Sequence, residues 1–156
     1  MRIALGADHA GVALKDDIKK LLDERGDSYT DFGTNSTDSV DYPDFAVKVA
    51  HEVAAGRFDR GLLFCGSGLG MAMAANKVAG VRAVNAHDPS EAEMARRHND
   101  TNVVALSGSR LGPQQADAIV TAFLRTEFEG GRHARRVGQI TALEGRPREA
   151  DTAVHS

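Results

Sequence analysis

An alternation that starts at the third residue constrains this chain more than any other feature. Short apolar runs, each closed by a glycine-rich or polar turn, are followed by segments with helical period. Residues 3–5 form one such run, ending in Gly6-Ala7-Asp8-His9-Ala10-Gly11. From Val12 onward, Leu14, Ile18, Leu21 and Leu22 fall on one helix face, and Gly26 closes the segment. The same alternation predicts strands at 29–32, 61–64, 81–86 and 103–106. It predicts helices opening at Pro43 and stopped by Gly56, then at 71–78, 90–98, 113–128 and 132–143. Five strands that each feed a helix imply a parallel sheet covered on both faces, a Rossmann-like three-layer αβα sandwich in the α/β class. Such sheets bind ligands beyond the carboxyl ends of their strands, near the topological switch point.

Composition narrows the class. With 156 residues and 42% apolar content the chain fits one domain, expected over 1–143, with a polar and frayed tail at 144–156. Net charge is −3, and neither half has a basic surplus, which argues against nucleic acid and anionic membranes as partners. No stretch approaches the roughly 18–20 apolar residues of a membrane span. Asp8 interrupts the N-terminus before a signal-peptide core could form. Cys65 is the single cysteine, so an intrachain disulfide and a cysteine-rich zinc site are both excluded. A reducing, cytoplasmic setting is expected.

Several constellations fall where the switch-point rule directs attention. Cys65-Gly66-Ser67-Gly68-Leu69-Gly70 follows the third strand and opens a helix. Alternate glycines there let backbone N–H groups approach a ligand closely and form an anion or oxyanion nest. The loop is not a nucleotide motif: it lacks G-x-x-x-x-G-K-[ST], and Met71 stands where G-x-G-x-x-G needs its last glycine. The helix macrodipole would favour a thiolate at Cys65, although a lone cysteine beside Phe64 also suits a buried apolar position. Ser67 could relay a proton or close the turn. His98 could be an acid–base group or a helix cap, helped in the latter role by Arg96 and Arg97. Arg132 and Arg136 share a helix face and could grip one phosphate, or form a solvated basic face.

Taken together, these residues resemble the ribose-5-phosphate isomerase B family and its galactose-6-phosphate isomerase relatives. The similarity runs through the Gly6 to Gly11 turn, Asp41-Tyr42-Pro43, the Cys65 to Gly70 loop and Ala74-Ala75-Asn76-Lys77. It continues in Gly80-Val81-Arg82-Ala83, His98-Asn99-Asp100-Thr101-Asn102 and Glu129-Gly130-Gly131-Arg132-His133. The resemblance implies an aldose–ketose isomerase of sugar phosphates, with no metal and no cofactor. It also implies a homodimer, or a tetramer, with sites built from two subunits. By resemblance Cys65 is the base, His98 assists ring opening, and Asp8 binds sugar hydroxyls. His9, Arg110, Arg132 and Arg136 lie on the phosphate side. Tyr42 and Asn99 contact substrate, and the amides of Gly66, Gly68 and Gly70 line the nest. Ser67 replaces a threonine common in the family. Met71 stands where another branch carries a glutamate base, which places this chain in the cysteine branch.

The chemistry agrees with that assignment. Isomerisation through a cis-enediolate needs a base, oxyanion donors, an acid–base to open the furanose and an anchor for the phosphate. The expected substrates are D-ribose 5-phosphate and D-ribulose 5-phosphate. A hexose 6-phosphate or a free sugar is the alternative, and a non-catalytic sugar-phosphate-binding module is a third reading. Arg132 and Arg136 are expected to serve a neighbouring subunit's site.

Overall fold

A computed structural model of the chain describes residues 1–145. The expected alternation is present: β1 Arg2–Ala7, α1 Val12–Arg25, β2 Ser28–Asp31, α2 Tyr42–Ala54, β3 Arg60–Cys65 and α3 Leu69–Ala75. It continues with β4 Ala83–Asn85, α4 Pro89–Asn99, β5 Val103–Ser107, α5 Pro113–Arg125 and α6 Arg132–Thr141. All strand pairs are parallel, in the order β2-β1-β3-β5-β4.

The period-2 alternation of the strands sorts the core into two layers. Leu62 and Phe64 of β3 pack with Leu14, Ile18, Ile119 and Phe123, so α1, α4 and α5 cover one face. Leu63 and Cys65 point the other way, into Ala46, Val49, Met71 and Ala75 of α2 and α3. Helix ends follow local chemistry. Gly26 caps α1 in the left-handed region (φ +75°), and its N–H returns to the last carbonyls of the helix. Asp88 caps α4 by accepting from the Glu91 N–H at 2.8 Å, with Pro89 as the first helical residue.

Among the boundaries that differ from the sequence reading, those of α5 and β4 have a tertiary reason. α5 stops at Arg125 rather than residue 128, because Thr126 turns extended and gives its carbonyl to Arg96 Nε. β4 spans three residues rather than six. Val81 belongs to a turn with Val78, and the Arg82 N–H goes to the Asn102 side chain. α3 starts and ends earlier than expected, and α6 ends at Thr141. Of the expected 144–156 tail, residues 146–156 lie outside the described residues. Glu144, its first member, is tied back through Oε1 to the Gly80 N–H at 3.0 Å.

Candidate active site

From β1 the chain moves to β2 on one side, and β3 sends it toward β5 and β4 on the other. The carboxyl ends of β1 and β3 therefore flank the switch-point crevice. Asp8 leaves β1 almost fully buried, and its Oδ1 accepts the N–H groups of Ala10 and Gly11 at 3.0 and 3.1 Å. The carboxylate is thus fixed by its own turn. The Val40 N–H donates to His9 Nδ1 at 3.2 Å, which in the neutral ring leaves Nε2 as the donor.

Cys65 ends β3 as a buried free thiol, 4% exposed. Its Sγ accepts the Gly68 N–H at 3.0 Å, so a backbone donor is held against the sulfur. Its carbonyl accepts the Gly108 N–H at 2.7 Å, tying the loops after β3 and β5 together. Ser67 Oγ accepts the Leu69 N–H at 3.2 Å, so the hydroxyl closes the turn. The amides of Gly66, Ser67 and Gly70 make no hydrogen bond among the described residues. Gly68 sits at φ +81°, and Gly70 lies so close to the Tyr42 ring that a Cβ would meet Cζ at 2.5 Å. Tyr42, half exposed at the start of α2, is thereby seated on the loop. Arg110 follows β5 at the same rim, exposed, with its N–H on Ser107 Oγ.

The remaining expected site residues form a second group at the opposite end of the sheet. Cys65 pairs with Ser107, and Gly61 with Val103. Those four residues of strand span about 13 Å. His98 and Asn99 precede β5, beyond its Val103 end. The His98 ring stacks on His133 of α6, with centroids 4.2 Å apart and planes 9° from parallel. Both ends of α6 are held at this end of the sheet, by the Glu129 N–H on the Arg97 carbonyl and by Glu144 on Gly80. Exposed Arg132 and Arg136 sit on this helix beside His98. The sequence reading placed only the two arginines away from their own chain's Cys65; the fold moves His98 and Asn99 with them.

His98, Glu129 and His133 offer ligand atoms within 4.8 Å of one another. A shared cation would have to lie in both imidazole planes, since nitrogen lone pairs lie in the ring. Near-parallel stacked rings do not allow that, so the trio does not fit a metal as arranged. Burial pushes the His133 imidazole below the ordinary histidine value, assisted by His98, Arg132 and Arg136 and opposed by Glu129. Arg96 is no solvated dipole partner: it is 3% exposed and clamps Asp100 and the carbonyls of Thr101 and Thr126.

Two supporting groups escaped the sequence reading. Asn85 at the end of β4 donates Nδ2 to the Ser67 carbonyl at 2.8 Å. Lys15 is fully buried and reaches Asp31 Oδ1 at 2.7 Å, Asn35 Oδ1 at 3.0 Å and the Thr34 carbonyl. Lys15 stands on the α1 stripe with Ile18 and Leu22, where a charged residue is itself a signal.

This fold, with a cysteine–glycine loop at the switch point and no nucleotide fingerprint, defines a Rossmann-like protein built for a small polar ligand. A model of the Ribose/Galactose Isomerase family matches residues 3–140, and the chain belongs to that family. It is 48% identical over 145 residues to ribose-5-phosphate isomerase B of Escherichia coli (strain K12), covering 93% of this chain and 97% of that one. It is 42% identical over 145 residues to a D-erythrulose-4-phosphate isomerase of Pectobacterium atrosepticum, covering 92% and 95%. The structure of ribose-5-phosphate isomerase B from Mycoplasma genitalium with bound ribulose-5-phosphate superposes with a TM-score of 0.89 at 40% identity, covering 94% and 97%.

Proposed function

We propose that the chain is an aldose–ketose isomerase interconverting D-ribose 5-phosphate and D-ribulose 5-phosphate through a cis-enediolate. The observation that carries the reading is the buried Cys65 thiol under the Gly68 N–H, at the switch point of a ribose/galactose isomerase family fold. In the open-chain aldose, the Cys65 thiolate removes the C2 proton, and the electron pair moves through the C1–C2 bond onto O1. The free amides of the Gly66 to Gly70 loop donate to that oxyanion. The thiol then returns its proton to C1. O1 gains and O2 loses a proton, with the Ser67 hydroxyl at hand as a relay. Asp8 Oδ2 and Tyr42 hold sugar hydroxyls, and His9 Nε2–H and Arg110 face the phosphate. This sequence of steps calls on no metal or redox cofactor.

The working enzyme is a homodimer in which His98, Asn99, Arg132 and Arg136 complete the site of the partner. Support comes from the separation of the two groups by about 13 Å or more within one chain. Ile140 on α6 and Leu143 just beyond it, 48% and 62% exposed, leave apolar surface to cover. No helix among the described residues is long and apolar enough to cross a membrane, and a lone free thiol suits the cytoplasm.

A second reading, a four-carbon ketose phosphate as substrate, is favoured by the Pectobacterium relative. Turnover followed by NMR across tetrose, pentose and hexose phosphates and free ribose separates the readings. The expected result is the highest kcat/KM for the ribose 5-phosphate pair. A higher value for a tetrulose or a hexose phosphate would overturn the pentose assignment, and turnover of none would overturn the isomerase.

A further inference from the structure

Asn85 closes β4 at the edge of the sheet, and its side chain lies against the Cys65 loop. Nδ2 donates to the Ser67 carbonyl at 2.8 Å. The other half of that same peptide unit, the Gly68 N–H, donates to Cys65 Sγ at 3.0 Å. A trans peptide is planar, with C=O and N–H pointing in opposite directions. A donor fixed at the carbonyl therefore fixes where the amide points.

Two further observations make this contact more than incidental. A Cβ on Gly68 would meet Asn85 Nδ2 at 2.6 Å, so the loop is laid directly on this amide. Asn85 Oδ1 is buried with no hydrogen-bond partner among the described residues. A buried, unpaired acceptor destabilises the fold, and an apolar side chain of similar shape would avoid it. The benefit of an asparagine here lies at its other atom, Nδ2.

We infer that Asn85 is a positioning residue of the isomerase, clamping the Ser67–Gly68 peptide so that its N–H is held against the Cys65 sulfur. Without the clamp that peptide is free to rotate, and a carbonyl oxygen turned toward the sulfur would repel its anion. The inference rests on the reading of Cys65 as the base. Asp8 and His9 on the β1 loop, Tyr42 on α2 and Arg110 after β5 also border the switch point. Among the described residues none of them hydrogen-bonds Sγ, so the Gly68 amide is the contact Asn85 controls.

Asn85→Leu keeps the shape and removes the donor without adding charge. The measurement is the rate of Cys65 alkylation by iodoacetamide at neutral pH, divided by the rate at alkaline pH where the thiol is ionised in either protein. Greater access alone would raise both rates and leave the ratio unchanged. The ratio is expected to fall about ten-fold, the scale of one charge-assisted hydrogen bond, with kcat falling in parallel and KM barely moving. Asn85→Gln, which retains an amide donor, should recover part of the loss. Should Asn85→Leu fail to fold, Gly68→Ala displaces the same amide and is read by the same ratio. An unchanged ratio in a folded variant overturns the clamp. Because alkylation reads the thiol directly, a fallen ratio with undiminished kcat would support the clamp and overturn Cys65 as the base.

Discussion

At neutral pH a free thiol is mostly protonated, so a cysteine base needs a donor for its anion and shelter from solvent. Cys65 has both: the Gly68 N–H and a place in the α2–α3 side of the core. In the proposed mechanism the Cys65 thiolate acts on the transition state, so Cys65→Ala should abolish turnover while leaving sugar-phosphate binding within about a factor of three by calorimetry. Undiminished turnover would remove Cys65 from the mechanism. His98 acts earlier if it opens the ring. Its stacking on His133 covers one face of the ring, while its nitrogens act through the ring edge. His98→Asn should slow pre-steady-state ring opening of ribose 5-phosphate by about 10²-fold, the scale of one acid–base group, and spare a substrate fixed in the open form. An equal loss on the open-chain substrate would leave His98 a positioning role only.

Between residue and fold stands the segment from β2 to α2, which has no regular structure yet holds His9 through Val40. Lys15 organises it. Its buried ammonium takes Asp31 Oδ1, Asn35 and the Thr34 carbonyl together, while the Gly33 N–H shares Oδ1 and Lys19 takes Oδ2. Lys15→Met should therefore destabilise the fold by about 3 kcal/mol in urea unfolding, because it strands buried acceptors. It should also raise KM for the phosphorylated substrate as His9 loses its support. A stability loss with unchanged KM would confine Lys15 to the fold. The same hub sets acid sensitivity. Burial pushes the Asp31 carboxyl up, but the Lys15 and Lys19 hydrogen bonds and the Gly33 N–H together hold it below the ordinary carboxylate value. A depressed folded value means the stabilisation is present above the unfolded value, about 3.9, and is lost as pH falls through the folded one. Unfolding midpoints should drop below about pH 4, and less steeply in Asp31→Asn; identical acid profiles would dissociate Asp31 from that loss. The apolar stripe of α1 and the glycine stops were legible in the sequence because each is a local rule. The partners of Lys15 and Asn85 and the end of α5 were not, because Asp31, Ser67 and Arg96 are distant in sequence and meet them only in the fold.

At the scale of the whole molecule, the sheet itself divides the candidate site. Parallel strands put every loop that follows a strand at one end, which gathers Asp8, His9, Cys65, Ser67 and Arg110. The same geometry returns each helix to the other end, so His98 and Asn99, closing α4, cannot reach their own Cys65 across a distance of at least about 13 Å. Their motifs were readable in sequence, but their separation required the strand register. The proposed two-fold dimer would bring the two ends of different copies together twice, once at each site. Mixing a Cys65→Ala chain with a His98→Asn chain tests this. On ribose 5-phosphate the Cys65→Ala homodimer is expected to be inactive at both sites, and the His98→Asn homodimer slowed about 10²-fold at both. In the heterodimer one site carries both lesions and the other carries neither. With random exchange of equal amounts, activity should reappear at about a quarter of the wild-type level. Native mass spectrometry would confirm that heterodimers formed, and their continued inactivity would mean that Cys65 and His98 act within one chain, contrary to the placement of α4.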